Sequence, residues 1–109
     1  MELVLHVHNT TVSEVIRDRA ERLVQRLAPR FGRVIDATVR FKDDGPLRCV
    51  EIELHAAGGR RVVAAGRGRY FGPALAHAGA RLRAQLDHSK RTRREASRDA
   101  AAPPLANAS

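Results

Sequence analysis

Aromatic residues are scarce in this chain of 109 residues: three Phe, one Tyr and no Trp. A domain that stacks single-stranded bases on a sheet needs aromatics interleaved along its strands. Of Phe31, Phe41, Tyr70 and Phe71, only Phe41 falls in a strand-like stretch. Base stacking is therefore not the expected mode of recognition. Cysteine is limited to Cys49, which excludes a disulfide framework and a cysteine-based zinc site within the chain. Hydrophobic runs are short, and none approaches the ~20 residues of a membrane-spanning helix. The N-terminus begins Met1-Glu2, and His6 interrupts the apolar stretch from Leu3 to Val7, so no signal peptide is expected and the cytoplasm is the expected compartment. Lysine is also rare: Lys42 and Lys90 stand beside 18 arginines.

What the chain does have is positive charge. The formal net charge is +8 and the sequence pI about 11.3. A GC-rich genome raises Arg and Ala together, which accounts for Arg in place of Lys. It does not account for the excess over acids. A small domain this basic calls for a polyanionic partner, and the planar fork of Arg grips phosphate at two points. The length suits one domain. Val, Ile and Leu number 23 and Ala 18, which describes a modest aliphatic core.

Hydropathy patterning predicts the order β-α-β-β-β-α. Residues 2–8 alternate, with Leu3, Leu5 and Val7 on one side and Val4, His6 and His8 on the other. Ser13 can cap a helix, and Thr11 with Glu14 offers a capping box instead. Ile16, Ala20, Leu23, Val24 and Leu27 then recur at helical spacing, so a helix is expected from about 13 to 28, with a looser turn to Phe31. Pro29 and Gly32 stop it. A second strand is expected at 34–42 with Ile35, Ala37, Val39 and Phe41 inward. A third follows at 47–56 with Val50, Ile52 and Leu54 inward, and a fourth at 60–67 with Val62 and Ala64 inward. Asp43-Asp44-Gly45-Pro46 and Gly58-Gly59 are the turns of a meander. Gly66, Gly68, Gly72 and Pro73 read as a loosely structured joint. The second helix is expected to begin near 71–73 and to carry Leu75, Gly79, Leu82 and Leu86 on one stripe, with Gly79 costing about 1 kcal/mol relative to Ala. The expected fold is α+β: a four-stranded mixed sheet with two helices packed on one face and the other face wet. The domain spans 1–94, and 95–109 is expected to be a flexible C-terminal tail.

The charges are sorted. On the first helix Arg19, Arg22 and Arg26 share one flank at spacings of three and four, while Glu14, Asp18 and Glu21 occupy another sector. A solvated helix ordinarily interleaves the signs, although chance sorting on one helix is a plainer account. The second helix carries Arg81, Arg83, Lys90, Arg91, Arg93 and Arg94. Basic residues spread over several elements suit a body wedged against folded RNA better than a single recognition helix in a groove. Catalytic signals are weak. His6 and His8 share a strand face, but a metal site needs further ligands and none is evident. Glu51 and Glu53 are explained by alternation on an exposed strand. No phosphate loop, nucleophile elbow or His-Glu-x-x-His is present. No enzyme activity, metal, cofactor, small-molecule substrate or membrane partner is expected.

The strand at 2–8, then Val12-Ser13-Glu14-Val15-Ile16-Arg17, Arg26-Leu27, Phe31, Arg33 and Lys42, resemble the family of ribosome hibernation-promoting factor and ribosome-associated inhibitor A, also called the sigma-54 modulation family. The second half fits through Gly58-Gly59, the strand at 61–66 and Arg81-Leu82-Arg83-Ala84-Gln85-Leu86. The resemblance covers about residues 1–94. It implies a β-α-β-β-β-α fold that binds rRNA of the small ribosomal subunit where mRNA and tRNAs lie. Such a protein inhibits translation by occlusion, without catalysis, under stress or in stationary phase. It implies phosphate contacts at Arg17, Arg22, Arg26, Lys42, Arg81, Arg83, Lys90, Arg91, Arg93 and Arg94, with Arg22 and Arg83 shifted by about one position. Arg19 joins them from its place on the helix flank. The protein is expected to be monomeric off the ribosome. Three features depart from the family pattern: Tyr70-Phe71-Gly72-Pro73 replaces an Asp-x-Tyr-like helix start, Pro29 shortens the first helix, and Gly79 interrupts the second. A general structured-RNA or ribosome-assembly module, or a protein-interaction regulator, would use the same surfaces.

Overall fold

The computed structural model describes the backbone of residues 1–101 and the side chains of residues 1–88. The elements are β1 (Glu2–His8), α1 (Glu14–Leu27), a 3-10 turn (Ala28–Phe31), β2 (Val34–Asp44), β3 (Leu47–Ala56), a second short turn (Ala57–Gly59), β4 (Arg60–Gly68) and α2 (Phe71–Ala101). The strands lie in the order β1-β2-β3-β4; β1 pairs with β2 in parallel and the other pairs are antiparallel. This is the expected α+β fold. Of the expected tail at 95–109, residues 95–101 belong to α2, and 102–109 lie outside the described residues.

Local chemistry explains the boundaries. Of the two candidate caps the structure uses Ser13, whose Oγ accepts the Ile16 N–H at 3.3 Å. Glu14 in the first turn and Arg26 in the last complement the helix dipole. Pro29 cannot donate to the helical ladder, and the chain tightens there into the 3-10 turn ended by Gly32 at φ 118°. Asp44 pairs with Leu47 across a two-residue turn that begins with Gly45 at φ 64°.

Alternation in the strands becomes burial. Ala37, Val39, Phe41, Val50, Ile52 and Leu54 are fully buried beneath the two helices, with Val62 and Ala64 nearly so. From α1 come Ala20, Val24 and Leu27; from α2 come Ala74, Leu75, Ala78, Leu82 and Leu86. Phe41 meets Phe71 edge to face at 5.6 Å between centroids. Thus the one strand aromatic serves the core and is not presented to a base.

Alternation along β2 predicts Ile35 inward, but the β2–β3 register shifts between Val34 and Asp36. The irregularity turns Ile35 out, 57% exposed, and Val34 packs against the core in its place. The glycines at 66–72 do not form a loose joint. Gly66 and Gly68 are the last turns of the pleat in β4, and α2 begins only three residues after that strand ends. A β-carbon on Gly66 would collide with the backbone of Ala74 and Ala78, so the glycine is what lets strand and helix approach.

Candidate nucleic-acid interface

The helices pack side by side on the sheet, and the flank of α1 sorted to arginine faces the neighbouring flank of α2. Between them runs an open groove of about 500 Å³. Leu23, Leu75 and Gly79 contribute its apolar floor, and Arg19, Arg22, Arg26 and Arg83 its walls, with no acidic side chain among the lining residues. Gly79 of α2 lies against Leu23 of α1, where a β-carbon would lie 2.6 Å from Leu23 Cδ1.

These four arginines converge on one groove and also lack ion-pair partners among the described residues. Five other arginines are matched: Arg40 with Glu51 at 3.1 Å, Arg61 with Glu53 at 2.9 Å, Arg67 with Asp44 at 2.8 Å, Arg48 with Asp43, and Arg30 with Asp87, while Arg17, Arg33, Lys42, Arg60 and Arg69 make no ion pair among the described residues. Among the described residues, none of the four groove arginines has a carboxylate within ion-pair distance. Several guanidinium groups gathered around one groove without counter-ions repel one another, and an anion relieves that repulsion. The apolar floor holds the stems while the forks stay in water.

The structure distributes the expected contact residues unevenly. Arg19, Arg22, Arg26 and Arg83 converge on the groove. Arg17 is exposed on the opposite flank of the apolar stripe of α1, and Lys42 lies on the open face of the sheet beside His6 and His8. Arg81 turns back on the fold: its Nη1 donates to the Ala65 carbonyl at 3.1 Å, and Gln85 Nε2 donates to the Val63 carbonyl at 3.0 Å. These carbonyls belong to β4, an edge strand, so the two side chains cover part of an edge. The side chains of Lys90, Arg91, Arg93 and Arg94 lie outside the described residues, although the backbone of α2 continues through them.

Sequence reasoning found the α1 stripe but missed the groove. Its signal was the row of small residues Ala76, Gly79 and Ala80 on α2, which marks a close helix approach. It also missed two arginines held over aromatic faces, Arg60 at 4.8 Å from the Phe31 centroid and Arg48 at 5.8 Å from that of Phe71. The other candidate chemistry is structural or incomplete. Glu51 and Glu53 pair with arginines, Cys49 is buried, and no group of three or more metal-ligating side chains occurs among the described residues.

The family model for sigma 54 modulation protein / S30EA ribosomal protein matches residues 3–94. The chain belongs to this family. Sigma 54 modulation / S30EA proteins are ribosome-associated proteins. Two solved structures share the fold. One is a ribosomal subunit interface protein from Coxiella burnetii, with TM-score 0.74 and 16% identity over 83% of this chain and 98% of that one. The other is the N-terminal domain of Protein Y from Thermus thermophilus, with TM-score 0.66 and 26% identity over 81% of this chain and 98% of that one. No curated protein sequence matches the chain. The family match includes both helices that line the groove and the departures at Pro29, Gly79 and 70–73. The departures are accommodated: a 3-10 turn takes up Pro29, α2 starts at Phe71, and Gly79 sits against Leu23.

Proposed function

We propose that this sigma 54 modulation / S30EA protein is a ribosome hibernation factor. It binds rRNA of the small ribosomal subunit in the channel used by mRNA and tRNA, and it inhibits translation by occupying that space, without catalysis. The observation that carries this reading is the groove between α1 and α2, where Arg19, Arg22, Arg26 and Arg83 stand without carboxylate partners among the described residues. Forks on a rigid two-helix scaffold fit phosphates held at fixed spacing in folded RNA. The scarcity of aromatics, with Phe41 buried, agrees with recognition by shape and charge. In this reading the protein works in the cytoplasm, as a monomer before it meets the ribosome.

Cosedimentation with separated ribosomal subunits and whole ribosomes tests the reading, with binding measured from low to moderate salt. Comigration with the small subunit and whole ribosomes is expected, with inhibition of translation in an extract. Equal binding to the large subunit or to free duplex RNA would identify a general RNA module instead. Absence from every ribosomal fraction would reject the proposal.

A further inference from the structure

A second cation-rich hollow lies across the sheet from the helices. His6 and His8 on β1 sit directly beside Arg40 and Lys42 on the parallel strand β2, in the pairs His6–Arg40 and His8–Lys42. Neighbouring strands are about 4.8 Å apart and alternate residues share a face. The four side chains therefore form a two-by-two array around a hollow of about 330 Å³. Both histidines are exposed, and β1 is an edge strand with no strand beyond it.

Two of the four side chains are imidazoles and two are cations. Arg40 is held by Glu51 at 3.1 Å, with Glu53 at 3.9 Å, which leaves Lys42 as the cation of the array without a carboxylate partner among the described residues. The other acids facing this side are engaged elsewhere: Asp44, two residues from Lys42 on β2, takes Arg67 at 2.8 Å, Glu53 also takes Arg61, and Asp36 faces His55 at 3.6 Å, while Glu2 stands at the far end of β1. His8 Nε2 and Asn9 Nδ2 are 3.4 Å apart, a contact in which the neutral ring accepts. A protonated ring has no free lone pair and must turn its N–H toward a different acceptor.

We propose that His6, His8 and Lys42 form a proton-dependent phosphate contact for the RNA backbone, separate from the groove between the helices. The proposal rests on the RNA-binding reading above, in which Lys42 is already an expected contact, and adds the two histidines and a pH response to it. Histidine changes charge near neutral pH. A phosphodiester placed over the array favours the protonated rings, so binding takes up protons and tightens as pH falls through the histidine range. An acidified cell would then hold the protein on its RNA more firmly, through a surface that carries little net charge when the rings are neutral.

The test is binding to purified small ribosomal subunits at fixed ionic strength, near pH 7.5 and near pH 6, comparing the full chain with H6Q/H8Q, H6K/H8K and H55Q. The wild type is expected to bind roughly tenfold tighter at the lower pH, about threefold for each histidine. H6Q/H8Q should lose most of that gain, H6K/H8K should bind tightly with little pH dependence, and H55Q should keep the gain. The slope of log K against log salt should also steepen by one to two units at low pH, in the wild type but not in H6Q/H8Q. A gain that persists in folded H6Q/H8Q, or a wild type with no gain, overturns the inference and leaves the groove reading standing. Failure of the wild type to bind at either pH rejects that reading itself, and this one with it.

Discussion

Gly66 of β4 and Ala78 of α2 touch through their backbones, with no room for a β-carbon between them. This contact sets α2 down on the sheet and so fixes where Arg83 stands relative to the arginines of α1. Gly66→Ala must push the helix away from Ala74 and Ala78. The expected cost is about 1–3 kcal/mol of stability, read as a lower denaturant midpoint. Gly79→Ala differs, because its new methyl would meet only the tip of the Leu23 side chain, which can rotate. The gain in helix propensity, about 1 kcal/mol, offsets that adjustment, so a near-neutral midpoint is expected.

Removing charge from the groove should separate binding from folding. Arg22 and Arg26 are exposed and make no ion pair among the described residues, so Arg22→Glu with Arg26→Glu should leave the thermal midpoint within a few degrees. Ribosome binding should fall below detection in the same gradients. Undiminished binding by the folded double variant would refute the role given to the groove.

Salt should report the number of phosphates engaged. If the four groove arginines each neutralise one phosphate, log K should fall against log salt with a slope of roughly three to four units. Replacing Arg83 with Gln should lower the slope by about one. A slope near zero would point to protein contacts.

Arg81 should behave differently from Arg83, two residues away. Its hydrogen bond to Ala65, with that of Gln85 to Val63, covers the edge of β4. Each such bond contributes about 0.5–1.5 kcal/mol. Arg81→Ala with Gln85→Ala should lower stability by about 1–2 kcal/mol and raise self-association, seen as a concentration-dependent mass in light scattering. If the double variant stays monomeric at unchanged stability, the edge has no need of this cover.

Ser13→Ala removes the side-chain acceptor of the Ile16 N–H. The expected loss is about 1 kcal/mol, visible in thermal denaturation, with ribosome binding intact at low temperature.

Much of this protein was legible in its residues because periodicity is a local property. Leu3-Leu5-Val7 and Val50-Ile52-Leu54 alternate, Ala20-Val24-Leu27 recur at helical spacing, and Ser13, Pro29, Gly45 and Gly58 punctuate them. Those features determined the element order, the inward faces and the sorted flank of α1. Ile35 escaped because a one-residue irregularity in pairing reverses a side chain without any local mark. The groove escaped for a related reason. Which arginines stand free of acids depends on partners far along the chain, such as Arg67 with Asp44 or Arg30 with Asp87. By itself, then, the sequence determined the fold and the sign of the charge. Only the tertiary structure decided which cations are neutralised, which cover an edge and which converge, because ion pairs form across distances in space that periodicity along the chain does not encode.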